Sequence, residues 1–308
     1  MSRPDPNSYP LAVIGTVAID AVETPFGKRE RSFGGSASYF SYAASFFSPV
    51  SLVAVVGKDF PEEFRKVLEE RPIDLSHLER SNGKTFFWRG KYQFDMNTAE
   101  TLETQLNVLT EFVPKIHFSS NPDFLFLANI DPVLQGRVLD QVGKPKARFV
   151  ACDTMNFWIE KKRPELLRVL GRVDAIVINE NEARQLAAES NLIRAAQKIH
   201  SWGPGKVVIK KGEHGVLVFD EGKFFALPAY PLENVFDPTG AGDSFAGAMM
   251  GYLAKTKDVG FENLKRAIAL AAVVASFTVE EFSLDRLRRL DLRQIEERLE
   301  IFRKICSF

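Results

Sequence analysis

Cysteine is nearly absent from this 308-residue chain: Cys152 and Cys306 lie far apart, without metal-type spacing, and offer no disulfide framework. Histidine is almost as scarce, with four residues and no ligand-like pair, which argues against a zinc site. Net charge is missing as well, since forty basic and forty acidic residues cancel. No global field then exists to draw in nucleic acid or an anionic membrane, and neither is expected as a partner. The apolar run from Ala267 to Ala275 is too short to span a bilayer. The start, Met1-Ser2-Arg3-Pro4-Asp5, lacks the apolar core of a signal peptide, so a cytoplasmic location is the default expectation. No internal repeat or low-complexity stretch stands out. What remains has the composition of a soluble globular protein, long enough to bury a full core.

The chain is organised around Asp237-Pro238-Thr239-Gly240-Ala241-Gly242-Asp243, which leads into an apolar helical run through Gly251. Small residues let a backbone turn tightly with its N–H groups uncovered. A helix start adds unpaired donors and partial positive charge, so Gly240, Ala241 and Gly242 suit an anion. A carboxylate at Asp243 repels a resting phosphate, which suggests proton abstraction from a hydroxyl attacking a phosphoryl group. A helix cap is the plainer reading of the same acid.

Along the chain, apolar strands alternate with helical stretches, the rhythm of an α/β protein with a mostly parallel sheet. Leu11 to Val17 reads as a buried strand with Asp20 near its C-terminal end. Phe33-Gly34-Gly35 precedes a helix through Phe46, and Ser51 to Gly57 is a second buried strand. Residues 124–128, 148–152, 175–178 and 207–210 read as further strands. They end in Asn129, Asp153, Asn179 and Lys211-Gly212, with Val216 to Phe219 as an antiparallel return. A whole edge of polar strand ends is the place where α/β sheets bind ligands. The rhythm breaks at residues 84–113, where Phe86, Trp88, Tyr92 and Phe94 alternate with Phe87, Arg89, Lys91 and Gln93. That period predicts a strand with one wet face. With residues 21–33 it predicts a small sheet that serves as a lid and as a candidate surface for a homodimer. The tail is helical: Leu264 to Phe277 is apolar, and Asp291 with Gln294 predicts a capped helix with Leu292, Ile295, Leu299 and Phe302 on one face. Asp285 to Arg289 reads as solvated surface.

The string DPTGAGDSFAGAMM at residues 237–250 resembles the C-terminal signature of the ribokinase-like (phosphofructokinase B) family of carbohydrate kinases. Further matches are Gly15-x-x-x-x-Asp20, Gly34-Gly35, Asn179-x-x-Glu182, and Lys210 with Gly212-x-x-Gly215. The resemblance implies a single kinase domain over residues 1–308, a three-layer α/β/α sandwich with a small β lid inserted. It implies Asp243 as catalytic base and Gly240, Ala241 and Gly242 as anion hole. Asp20, Gly34, Gly35 and Asn129 would bind the acceptor. Asn179, Lys210, Gly212 and Gly215 would bind nucleotide. Glu182 would place Mg2+, which accompanies ATP because it prefers oxygen ligands and bridges phosphates. It also raises a monovalent-cation requirement through the loop around Asp237.

Three departures stand out. Ser38-Tyr39 occupy the region where the family has an Asn. Asp153-Thr154-Met155-Asn156 replaces a D-P-N-x-R turn, with Lys161, Lys162 and Arg163 as the nearest cations. Lys210 stands where many relatives carry Thr. The expected function is ATP-dependent phosphorylation of a small sugar, with a nucleoside as the alternative acceptor. A non-catalytic binding or regulatory protein would not need Asp243. A nicotinamide oxidoreductase would need a G-x-G-x-x-G turn, which the first strand lacks.

Overall fold

The computed structural model describes residues 9–116, 118, 121–142 and 146–307; the N-terminal reading at residues 1–5 lies outside them. Fourteen strands are present among the described residues. In chain order they are β1 (Leu11–Ile14), β2 (Ala18–Thr24), β3 (Gly27–Gly34), β4 (Val50–Val56), β5 (Ile73–Asp74), β6 (Leu78–Arg80) and β7 (Phe86–Tyr92). They continue with β8 (Ala99–Gln105), β9 (Phe124–Leu127), β10 (Phe149–Cys152), β11 (Ala175–Asn179), β12 (Lys206–Lys210), β13 (Val216–Asp220) and β14 (Lys223–Leu227). The main sheet runs β14-β13-β12-β11-β10-β9-β1-β4-β5, with β6 also on β4. It is parallel from β12 to β5 and closes with the antiparallel pair β13 and β14.

Its central strands β1, β9 and β10 are apolar throughout because both faces are covered. In β1, Leu11 and Val13 join one core while Ala12 and Ile14 join the other. Phe124 and Phe126 of β9 divide from Leu125 and Leu127 in the same way. One layer holds helices 36–44, 241–256, 261–278 and 292–306, and the opposite layer holds 132–142, 163–170, 180–187 and 192–200. The result is the expected α/β/α sandwich. Helix Ala241–Thr256 lies directly on helix Ser36–Ala44: a Cβ on Gly247 would sit 2.2 Å from the Phe40 carbonyl oxygen. The small residues after Asp243 therefore serve close helix packing.

A second, four-stranded sheet has the order β3-β2-β7-β8. This moves Asp20. The first strand ends at Ile14 rather than Val17, Gly15 to Val17 bridge the two sheets, and Asp20 lies within β2 of the second sheet. The aromatic alternation is also imperfect. Tyr92 is buried and Phe86, Phe87 and Trp88 are half-buried, but Phe94 lies past the strand end and is 94% exposed. In the last helix the Asp291–Gln294 capping box is present and Ile295 and Phe302 are buried, whereas Leu292 is exposed. The charged stretch 285–289 is more than solvated surface: Leu287 is buried, and Asp285 ties Arg29 of the small sheet to the body at 2.9 Å. Among the described residues no helix is long and apolar enough to cross a membrane.

Candidate active site

Gly240 is the N-cap of helix Ala241–Thr256 and takes a left-handed conformation (φ 76°), which a side chain would strain. The ring of Tyr39 explains the rest of its identity, since a Cβ here would lie 2.3 Å from the ring carbons. The Ala241 N–H bonds the Pro238 carbonyl and the Ser244 N–H bonds Gly240. The N–H groups of Gly242 and Asp243 have no backbone partner among the described residues. Two free donors at a helix start make an anion cradle. Asp243 stands in the first turn, and its side chain caps nothing. The plain cap reading therefore fails on geometry.

Asp243 is half-buried, and its pKa is pushed up to about 7 by desolvation, then by the charge of Asp153, with Lys210 opposing. Lys210, the last residue of β12, places its ammonium 3.7 Å from Asp153 at the end of β10. Burial works against that ammonium, yet Asp153, Glu182 and Asp243 together hold its pKa above the ordinary lysine value. Glu182 is raised to about 8, chiefly by burial and then by Asp153. Asn179 and Glu182 form a reciprocal capping box: Glu182 N–H donates to Asn179 Oδ1 at 2.8 Å and Asn179 N–H to Glu182 Oε2 at 2.7 Å. Glu182 Oε1 has no hydrogen-bond partner among the described residues.

Asp20, which feels the charge of Asp243, is raised to about 8 by burial, then by Asp237, with the Gly35 N–H opposing. A Cβ on Gly34 would lie 1.8 Å from Asp20 Oδ2, so the glycine pair makes room for this carboxyl. Asp237 accepts from Thr239 N–H at 2.9 Å and Ser283 N–H at 3.3 Å. The Thr239 hydroxyl reaches Tyr92 Oη of β7 at 3.4 Å, which joins the small sheet to the 237–243 turn. Gly212 and Gly215 bracket a short 3-10 turn after β12. Its neighbour Glu213 accepts from Asn97 Nδ2 of the β7–β8 connection at 2.9 Å.

The fold thus gathers Asp20, Gly34, Gly35, Gly240, Gly242, Asp243, Lys210 and Glu182 along one edge. Asn129 is tied up differently. It accepts from Trp158 Nε1 at 3.0 Å and its amide lies 3.2 Å from Met155 Sδ, so its side chain braces the β9 and β10 ends. Tyr39, Tyr92 and Asp153 enter the site without having been singled out as site residues. The aromatic pattern around Tyr92 was visible, but its partner Thr239 lies 147 residues away.

The model of the pfkB family carbohydrate kinases matches residues 10–287. The chain belongs to this family. A cytidine kinase of Thermococcus kodakarensis is 34% identical over 250 residues, covering 79% of this chain and 87% of the relative. The nucleoside kinase structure of Methanocaldococcus jannaschii, a ribokinase-family member, superposes with TM-score 0.78 at 18% identity, covering 96% and 99% of the two chains. A ribokinase II structure from E. coli, bound to ATP and Mg2+, has TM-score 0.78 at 17% identity, covering 94% and 99%. This pfkB-family kinase therefore has the ribokinase fold that residues 237–250 led us to expect.

Proposed function

We propose that this kinase transfers the γ-phosphoryl group of ATP to a sugar hydroxyl, with Asp243 as base. The observation that carries the reading is the pairing of a half-buried acid with two unpartnered N–H groups at one helix start. A carboxyl with a pKa of about 7 has its proton affinity near a neutral working pH. Asp243 takes the proton of the acceptor hydroxyl. The oxygen so freed bonds the γ-phosphorus, and the bond to the β–γ bridging oxygen breaks with its electron pair leaving on ADP. The amides of Gly242 and Asp243 hold the phosphoryl oxygens, and the Gly240 and Ala241 turn aims them. Asn179, Gly212 and Gly215 border the nucleotide, with Asn179 shaping the turn through its cap.

The buried Asp153 and Glu182 and the half-buried Asp243 share one ammonium, so the cleft suits added positive charge. Among the described residues no ready-made cluster of His, Cys, Asp or Glu forms a metal cage. Such a set fits an ion that arrives with the nucleotide and keeps several waters, as Mg2+ does. Glu182 would hold it, and the ion would neutralise phosphate charge. The buried loop around Asp237 is where a monovalent cation would act, and a K+ titration against choline checks it.

The acceptor lies beside Asp20, Gly34 and Gly35 beneath the small sheet, which acts as the lid. A protonated Asp20 can donate to a substrate hydroxyl. The identity to a cytidine kinase supports a nucleoside as acceptor. The family's carbohydrate kinases support a free sugar as the competing reading. Phosphorylation with ATP and Mg2+ across cytidine, other nucleosides, ribose and fructose separates the two. Turnover of free sugars with none of nucleosides would reject the nucleoside reading, and no turnover of any would reject the kinase reading.

A further inference from the structure

We propose that Lys210 is a catalytic residue of this reaction: its ammonium donates to the γ-phosphoryl oxygens during transfer, held ready by Asp153. The proposal rests on the kinase reading above and concerns where that site obtains its fixed positive charge.

The turn after β10 has no arginine aimed at the cleft. The residue following Asn156 is Phe157, 49% exposed. The next cations are committed elsewhere or exposed. Lys161 is at the surface, Lys162 faces Asp131 at 4.0 Å, and Arg163 donates to the Leu186 carbonyl while its guanidinium lies 5.3 Å from the Trp202 ring. None of them is directed at Asp243.

Lys210 comes instead from the neighbouring strand. It ends β12 in register with Asn179 of β11, so the start of the capping box and the lysine stand side by side. Its side chain is 17% exposed and runs along the anion turn. A Cβ on Gly242 would lie 2.8 Å from Nζ, 3.6 Å from Cε and 3.7 Å from Cδ. Gly242 thus leaves room for the ammonium beside the unpartnered amides. The ion pair with Asp153 at 3.7 Å is loose, and an ammonium has three donors. Asp153 can keep one while the others turn to phosphate. A desolvated cation at that point acts in a medium where its charge is worth far more than in water.

During transfer Lys210 keeps its proton. The acceptor proton goes to Asp243, the acceptor oxygen bonds phosphorus, and the bridging electron pair leaves with ADP. Lys210 offsets the charge that spreads over the equatorial oxygens. Asp153 touches no reacting atom and is a positioning residue.

The test compares the wild type with Lys210→Met and Asp153→Asn. Calorimetric affinities for ADP and for a non-hydrolysable ATP analogue, both with Mg2+, need no acceptor. Lys210→Met is expected to weaken the analogue by about tenfold or more, the loss of one charged hydrogen bond, and to leave ADP nearly unchanged. Its kcat is expected to fall by about 10²–10³-fold, with the acceptor KM retained. Asp153→Asn should show a smaller kcat loss with the same nucleotide selectivity. In Lys210→Ala, added ethylammonium should recover part of kcat, which a purely structural lysine would not allow. Equal weakening of ADP and analogue, or a kcat within about threefold of wild type, overturns the proposal. Wild-type turnover of the acceptor panel tests the kinase reading separately, so the two can fail independently.

Discussion

Asp20 is a buried acid and Asp243 a half-buried one, and their surroundings fit the different tasks proposed for them. Asp243 sits beside Lys210 and two free amides, whereas Asp20 faces Asp237 and has only the Gly35 N–H in its favour. Replacing the base without changing its shape is the direct check: Asp243→Asn is expected to lower kcat by about 10²–10⁴-fold while nucleotide still binds. A near-normal rate would remove Asp243 as base. Asp20 has a consequence for stability. Its native pKa of about 8 exceeds the unfolded 3.8, so the folded protein binds the extra proton between those values. The stabilisation is fully present below about pH 4 and is lost as pH rises through about 8. Asp20→Asn should flatten the melting temperature over that window, making the ligand-free variant more stable than wild type at pH 8 and weakening acceptor binding. Melts from pH 5 to 8 read the first effect and KM the second.

Two elements hold the 237–243 turn in place. Helix Ala241–Thr256 lies so close to helix Ser36–Ala44 that Gly247 and Gly251 have carbonyl oxygens where a Cβ would stand, at 2.2 Å and 2.6 Å. Gly247→Val must separate the helices, and it is expected to cost about 1–3 kcal/mol or more, seen as a lower midpoint in urea. Because the same helix carries Asp243, kcat should fall as well. The second element is strand β7, whose Tyr92 meets Thr239 of the turn. Tyr92→Phe removes one hydrogen bond worth about 0.5–1.5 kcal/mol. We expect acceptor KM to rise up to about tenfold with ADP affinity unchanged. A variant that weakened ADP as much as acceptor would contradict a lid role for the small sheet.

At the scale of the molecule, the large sheet is a frame that brings strand ends from across the chain to one edge. A ligand bound there, as proposed above, would leave the core in place, so its binding should add directly to stability. Saturating nucleoside at about a hundred times its dissociation constant should raise stability by about 2.7 kcal/mol, and thermal shift reads this. Failure of every nucleoside to shift the midpoint would count against the acceptor proposed above.

Residues 237–250 pointed to a kinase through their likeness to the family signature, written in consecutive residues; read alone the same acid also suited a helix cap, and the matches at Asp20, Gly34, Gly35, Asn179 and Glu182 weighed against that. The apolar strands were equally legible: a strand buried on both faces must be apolar at every position, and β1, β9 and β10 are. The tertiary structure decided what depends on distant neighbours. It moved Asp20 from the main sheet into β2, since Gly15 to Val17 cross between sheets and nothing in their composition marks the crossing. It engaged Asn129 with Trp158 and Met155, and it left Phe94 in solvent past the end of its strand. It brought Lys210 to Asp153 and Gly242, three positions spread over 90 residues. Charge compensation in a buried site is summed over space, and chain order carries almost none of that sum.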